Sequence, residues 1–317
     1  MKKTGELTTQ QIVILIIVIV SFLILLYFFI RINFKEQTNS ELCHNSVAMR
    51  SKALISKSSV PLNCKTTYIC ITSDGSCEEM TNPEIKKVSS KPEIFKILAD
   101  EMANCWWVFG EGKINYVGEE FVKDHYCSIC SQVGFDNSLI EEESLGIVEG
   151  KISKDELYNF LAIEKMSGKE ITYAEYLFGT RDMDSLRQEA LNKEGVGSFG
   201  EIYLDRQYYV VMGIVSDSMD PWEVAIGSGV GTYGALNIVK KLFQLSIKKG
   251  WVEGVVMVGI AAVGYTGTAL LGTIEPEIGA ITVKGNGIEN EFMAPTIIEA
   301  ESSKFKALNC GSINTLA

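Results

Sequence analysis

The chain has 317 residues, a formal net charge of −11 and 46% hydrophobic residues. The acidic balance argues against nucleic acid as a partner, because binding to a phosphate backbone needs basic patches, and the apolar content argues against extensive disorder. With two histidines, His44 and His125, and neither a G-x-S-x-G nor an H-E-x-x-H pattern, general acid–base and metal-hydrolase chemistry has little to work with. The chain reads as non-enzymatic, with no cofactor and no metal.

Residues 7–30 (LTTQQIVILIIVIVSFLILLYFFI) contain no charge. A helix of about 20 such residues matches the ~30 Å hydrocarbon core of a bilayer, so residues 1–35 are expected to be a signal or transmembrane anchor. The apolar run is longer than that of a cleaved secretory signal, and it ends YFFIRINFK without a small-residue cleavage site.

Lys2-Lys3-Thr4-Gly5-Glu6, followed by Leu7-Thr8-Thr9-Gln10-Gln11 and the apolar run, resembles the signal of archaeal type IV pilin-like (class III) membrane proteins. The resemblance covers about thirty residues. It implies cleavage after Gly5 and a hydrophobic helix that becomes a filament stalk or stays in the membrane. Gln10 stands where that family usually has Glu.

Charge flanking the run is balanced, Lys2 and Lys3 before it and Arg31 and Lys35 after it, so cysteine usage carries the orientation. Seven of the eight cysteines, Cys43, Cys64, Cys70, Cys77, Cys105, Cys127 and Cys130, lie between 43 and 130, and the last is Cys310. An even number so crowded reads as a disulfide framework in an oxidising space. The expected address is the cell membrane, with the N-terminus cytoplasmic and the bulk extracytoplasmic.

Residues 36–150 form the cysteine-rich α+β region. Thr66–Thr72 is rich in β-branched residues and runs into Ser73-Asp74-Gly75, a strand followed by a turn. Ser90 and Pro92 open a helix carrying Ile94, Ile97, Leu98 and Met102 on one face, ended by Gly110 and Gly112. Trp106 and Trp107 stand about 100° apart on that helix, one for the core and one to cover a neighbouring loop. Cys127-Ser128-Ile129-Cys130 is the one motif with reactive potential. It reads as structural disulfides, as part of a zinc site with His125, or as a thiol-exchange pair.

Residues 151–220 mix helix and strand. Ser153 and Glu156 give an S-x-x-E start for a helix through about Met166, Asp182 opens another to Gly195, and Glu201–Ser216 reads as one or two strands with Tyr208–Val211 central.

Residues 221–275 are glycine-rich. Residues 254–274 (GVVMVGIAAVGYTGTALLGTI) are uncharged, and Gly264, Thr268 and Gly272 follow the small-xxx-small spacing of close helix packing. With Gly227 and Gly231 in the shorter upstream stretch, the expectation is a C-terminal helical hairpin. It would cross the membrane with Lys240, Lys241, Lys248 and Lys249 at its tip, or pack within the ectodomain or on a membrane surface. Residues 229–234 match G-x-G-x-x-G, but the next apolar run meets Gly259-Ile260-Ala261-Ala262 where a dinucleotide fold needs an acid. Residues 276–317 read as a C-terminal tail region.

The sequence-level fold is thus an α+β, disulfide-stabilised ectodomain with an N-terminal transmembrane helix and a C-terminal Gly-rich helical hairpin. Its expected partners are membrane lipid and a further copy or another surface protein. The expected role is membrane contact, assembly or self-association. The alternatives are a pilin-like subunit processed after Gly5 and an extracytoplasmic thiol–disulfide oxidoreductase using Cys127 and Cys130.

Overall fold

The structure, a computed structural model, describes residues 9–31, 38–54, 57–78, 80–118, 125–194, 197–215, 237–238, 241–244, 256–263, 265–266, 277–285, 288, 290–308 and 310–311. In chain order the helices are α1 (Thr9–Arg31), α2 (Thr38–Ser51), α3 (Lys91–Val108), α4 (Ser138–Glu141), α5 (Lys154–Ile163), α6 (Tyr173–Phe178), α7 (Met183–Glu194) and α8 (Ser303–Ala307). The strands are β1 (Thr67–Thr72), β2 (Glu84–Lys87), β3 (His125–Phe135), β4 (Lys151–Ser153), β5 (Glu201–Tyr203), β6 (Tyr208–Val215), β7 (Asn237–Ile238), β8 (Lys241–Gln244), β9 (Val256–Val263), β10 (Tyr265–Thr266), β11 (Glu277–Lys284) and β12 (Glu291–Glu299).

The fold is α+β around one mixed sheet of order β2-β1-β3-β6-β12-β11-β9-β8. β1 pairs in parallel with both β2 and β3, and every pairing from β3 onward is antiparallel. β6 is central and entirely apolar apart from its glycine. Tyr208, Val210, Met212 and Ile214 enter the main core, while Tyr209 and Val211 face the opposite side, the strict alternation of a pleated strand. The main core lies between the sheet and α3, α5 and α6.

α3 is the central helix of that layer. Ser90 has extended backbone before it, a proline follows in the first turn, and Glu93 accepts the Ser89 N–H at 2.7 Å. Ile94, Leu98, Met102, Cys105 and Trp106 are buried along one face. The helix stops where Gly110 and Gly112 take φ of +85° and +70°. Trp106 is fully buried edge-on to Phe292 of β12, and Trp107 stacks on His44 of α2 with ring centroids 4.4 Å apart. The two tryptophans therefore divide between core and neighbouring segment, as their angular separation predicts.

Ser153 caps α5 by accepting the Asp155 N–H at 3.1 Å, and Glu156 pairs with Lys91 instead of completing a box. The reciprocal capping box belongs to Thr172 and Glu175, at the start of α6.

Two features of the expected fold are corrected. The first is the Gly-rich helical hairpin. The described residues of 221–275 are the strands β7, β8, β9 and β10, and β9 inserts between β8 and β11. Val256–Val263 lacks charge because it sits inside a sheet, and its valines and Ile260 suit a strand better than a helix. Lys241, expected in a hairpin tip, pairs with Ala262. Gly227, Gly231, Gly264 and Gly272, and the G-x-G-x-x-G segment 229–234, lie outside the described residues.

The second is the transmembrane helix. Among the described residues no helix is long and apolar enough to cross a membrane. The large apolar side chains of α1 described from Ile12 to Ile24 are each 43–61% exposed, so they lie outside the core.

The stretch 276–317 supplies β11 and β12 to the sheet. Register shifts within β12 between Met293 and Thr296, where the strand contains Pro295. A proline cannot donate to a ladder, and a bulge is where a strand flanked on both sides tolerates one.

Candidate functional site

The eight cysteines form four disulfides, Cys43–Cys64, Cys70–Cys77, Cys105–Cys130 and Cys127–Cys310, and none is free. The first ties α2 to the segment before β1, the second closes the loop after β1, and the third fastens α3 to the sheet. The fourth joins β3 to the segment after α8 across a sequence separation of 183. Cys127 and Cys130 therefore have different partners.

The register of β3 explains why one short motif serves two faces. Ile129 pairs with Val211 and Ser131 with Val210, so Cys130 is an extra residue in a bulge. Before it, Cys127 and Ile129 pack with Val211, Met293, Ile298 and Leu308 on the α8 side. At and after it, Cys130, Val133 and Phe135 belong to the α3 side. Cys310 and Gly311 lie along this first half of β3: Gly311 bridges Tyr126 in parallel, and its carbonyl accepts the Cys127 N–H at 3.4 Å. A β-carbon at Gly311 would come within 2.6 Å of the Tyr126 ring, so the tail approaches this closely only as glycine.

Among the described residues, no group of three or more His, Cys, Asp or Glu could hold a metal ion. His44 Nδ1 and the Trp107 carbonyl oxygen are 2.9 Å apart, a structural contact.

A crevice that the motifs did not announce opens at the carboxyl ends of β1 and β2. The connection from β1 to β2 runs over the face away from α3. Cys77 bonds to Cys70 there, and the Met80 sulfur lies 2.5 Å from where a β-carbon of Gly134 would be. The connection from β2 to β3 is α3, on the other face. Neighbouring parallel strands whose connections leave on opposite faces part at their carboxyl ends, the usual position of ligand crevices in such sheets.

One wall is a polar knot joining the β1 and β3 ends. Asp74 Oδ1 accepts from Thr72 Oγ1 (2.9 Å), Ser76 N (2.7 Å) and Ser76 Oγ (2.7 Å). The Ser76 N–H and hydroxyl, then Thr72, hold this carboxyl down at about 2. Asp136 Oδ1 accepts from Ser138 N at 3.0 Å and Ser76 Oγ at 3.3 Å. Beside the knot lies a cavity of about 550 Å³ lined by Ser73, Lys87, Val88, Ser89, Glu93, Glu142 and Ser144. That volume is in the range of small-molecule sites.

Sequence reasoning located the strand and turn of β1 and the start of α3 but not their meeting. The parallel pairing of β1 with β2 depends on a connection with no helical or hairpin signature. Compared with protein-family models, with curated proteins and with solved structures, the chain matches none.

Proposed function

We propose that the protein is a non-catalytic component of the cell surface, held at the membrane through α1, with its bulk on the extracytoplasmic side and acting through binding and assembly. The observation that carries this reading is the complete pairing of eight cysteines in four disulfides, two of them on β3. Disulfides persist in oxidising compartments, and cytosolic reductants keep thiols reduced. The apolar side chains of α1 from Ile12 to Ile24, exposed and outside the core, support contact with lipid. The Cys127–Cys310 and Cys105–Cys130 pairing counts against thiol exchange, because a C-x-x-C catalyst cycles through a disulfide between its own two cysteines.

The test is fractionation of cells expressing the full chain and a chain lacking residues 1–37, with protease added to intact cells. The reading expects the full chain in the membrane fraction and digestible from outside, and the shortened chain released from membranes. A full chain that stays soluble, or that is digested only after lysis, would overturn it.

A further inference from the structure

The hydrogen bonds around the cavity between the β1 and β2 ends determine what it can hold. The Ser73 hydroxyl donates to the Ser138 carbonyl (3.0 Å), that of Ser89 to the Glu93 carboxylate (3.1 and 3.3 Å), and that of Ser144 to Glu142 Oε1 (2.7 Å). All three lining hydroxyl protons are thus committed within the protein, which leaves the hydroxyl oxygens as acceptors. The two carboxylates are acceptors as well. Among the described residues Lys87 is the single cationic donor of the lining, and it already donates to the Asp74 carbonyl at 3.2 Å. With one lysine against two glutamates the described lining carries a formal charge of −1. At the amino end of α3 the Glu93 carboxylate accepts the Ser89 N–H at 2.7 Å and so places a negative charge where an anion would approach. Ser89 lowers the pKa of Glu93 through that bond, so the carboxylate stays charged.

From this geometry we infer that the cavity between the carboxyl ends of β1 and β2 binds a small organic ammonium ligand, its N–H groups donating to Glu142, Glu93 and the serine oxygens. An acceptor-rich, negatively charged cavity rewards a ligand that brings its own donors and positive charge. The inference requires neither α1 nor the cellular address, so it and the proposed function fail separately.

The experiment is calorimetric titration of the full chain in neutral detergent with spermidine, with glucose as a neutral polyol and glutarate as an anion. Spermidine should bind, and glucose and glutarate should not. Glu142→Gln should weaken spermidine about tenfold, as expected for a lost charge-assisted hydrogen bond. Lys87→Met, which removes the positive charge of the described lining, should tighten it. Glu164→Gln, an exposed glutamate outside the cavity, should leave the affinity within about twofold, the scale of a surface charge. No binding of spermidine, preferential binding of glucose or glutarate, or equal weakening by Glu142→Gln and Glu164→Gln would each overturn the inference. Ser144→Ala, at an exposed position of the short 3-10 helix Glu143–Leu145, is a second variant that should weaken binding without disturbing the fold, and unchanged affinity in a variant set where Glu142→Gln misfolds would overturn it too.

Discussion

Cys127 and Cys130, three residues apart on β3, send their disulfides to opposite faces of the sheet, the first to Cys310 beyond α8 and the second to Cys105 of α3. Since the first three disulfides close within residues 43–130, Cys127–Cys310 is the one bond that joins the two halves of the chain covalently. It makes a ring of everything between, including the Gly-rich stretch 221–275 that lies between β6 and β11 in the chain.

That ring predicts a cleavage pattern. With a site-specific protease sequence inserted after Ser246, the two fragments should stay together on a denaturing, non-reducing gel and separate on reduction. In a Cys310→Ala variant they should separate without reductant. Fragments of wild type that separate before reduction would contradict the pairing.

Loop-closure entropy makes the same bond the largest single contributor among the four. For a separation of 183 residues the chain-entropy estimate is about 5 kcal/mol, and native-state adjustments commonly reduce it, so Cys127→Ala/Cys310→Ala should lose about 3–5 kcal/mol in urea unfolding. The loss should exceed that of Cys70→Ala/Cys77→Ala, whose separation is 7.

Trp106 fills the space between α3 and β12, and Gly112 lies against its ring. A β-carbon at Gly112 would be 3.0 Å from Trp106 Cζ2, at a φ of +70° that a side chain resists. Gly112→Ala should therefore cost about 2 kcal/mol or more, and Trp106→Ala about 3–5 kcal/mol. Trp106→Phe should cost less than Trp106→Ala, since among the described residues the buried indole Nε1 has no hydrogen-bond partner to lose. Chemical denaturation of the three variants gives the order.

Glu101 of α3 predicts a pH dependence. Burial is the main cause that pushes its carboxyl up to about 7, with Glu84 and Asp100 acting in the same sense against Ser131 and Lys86. The unfolded chain should titrate near the ordinary ~4.3. Between these values the folded protein holds a proton that the unfolded chain has lost, so stability falls as pH rises from about 4.5 to 7 and levels off above. Glu101→Gln should remove this slope and gain about 2–3 kcal/mol at pH 8, with little change at pH 4.5. Urea unfolding of both proteins at the two pH values measures it.

Where local chemistry and tertiary structure agree, the sequence is legible. Pro92, the apolar face of α3 and the glycines after it delimit that helix, β-branched residues mark β1, and the unbroken apolar run marks β6. The cysteine count foretold a disulfide framework, though eight cysteines allow 105 pairings and spacing selects none. The Gly-rich segment misled because absence of charge marks a lipid-facing helix and a strand enclosed in a sheet alike. β3 was hidden by its C-x-x-C, which draws attention to thiol chemistry and away from a strand, and β12 by Pro295, which is tolerated there at a bulge. The crevice depended on a parallel β1–β2 pairing, a long-range choice with no local mark.

The central claim, an extracytoplasmic domain locked by four disulfides, is tested most directly by thiol labelling of intact cells. A membrane-impermeant maleimide is applied before and after a membrane-impermeant reductant, and the modified cysteines are counted by mass spectrometry. The account predicts no label before reduction and label on Cys127 and Cys310, both partly exposed, after it, without lysis. Label before reduction, or label that appears only once cells are broken, would contradict it.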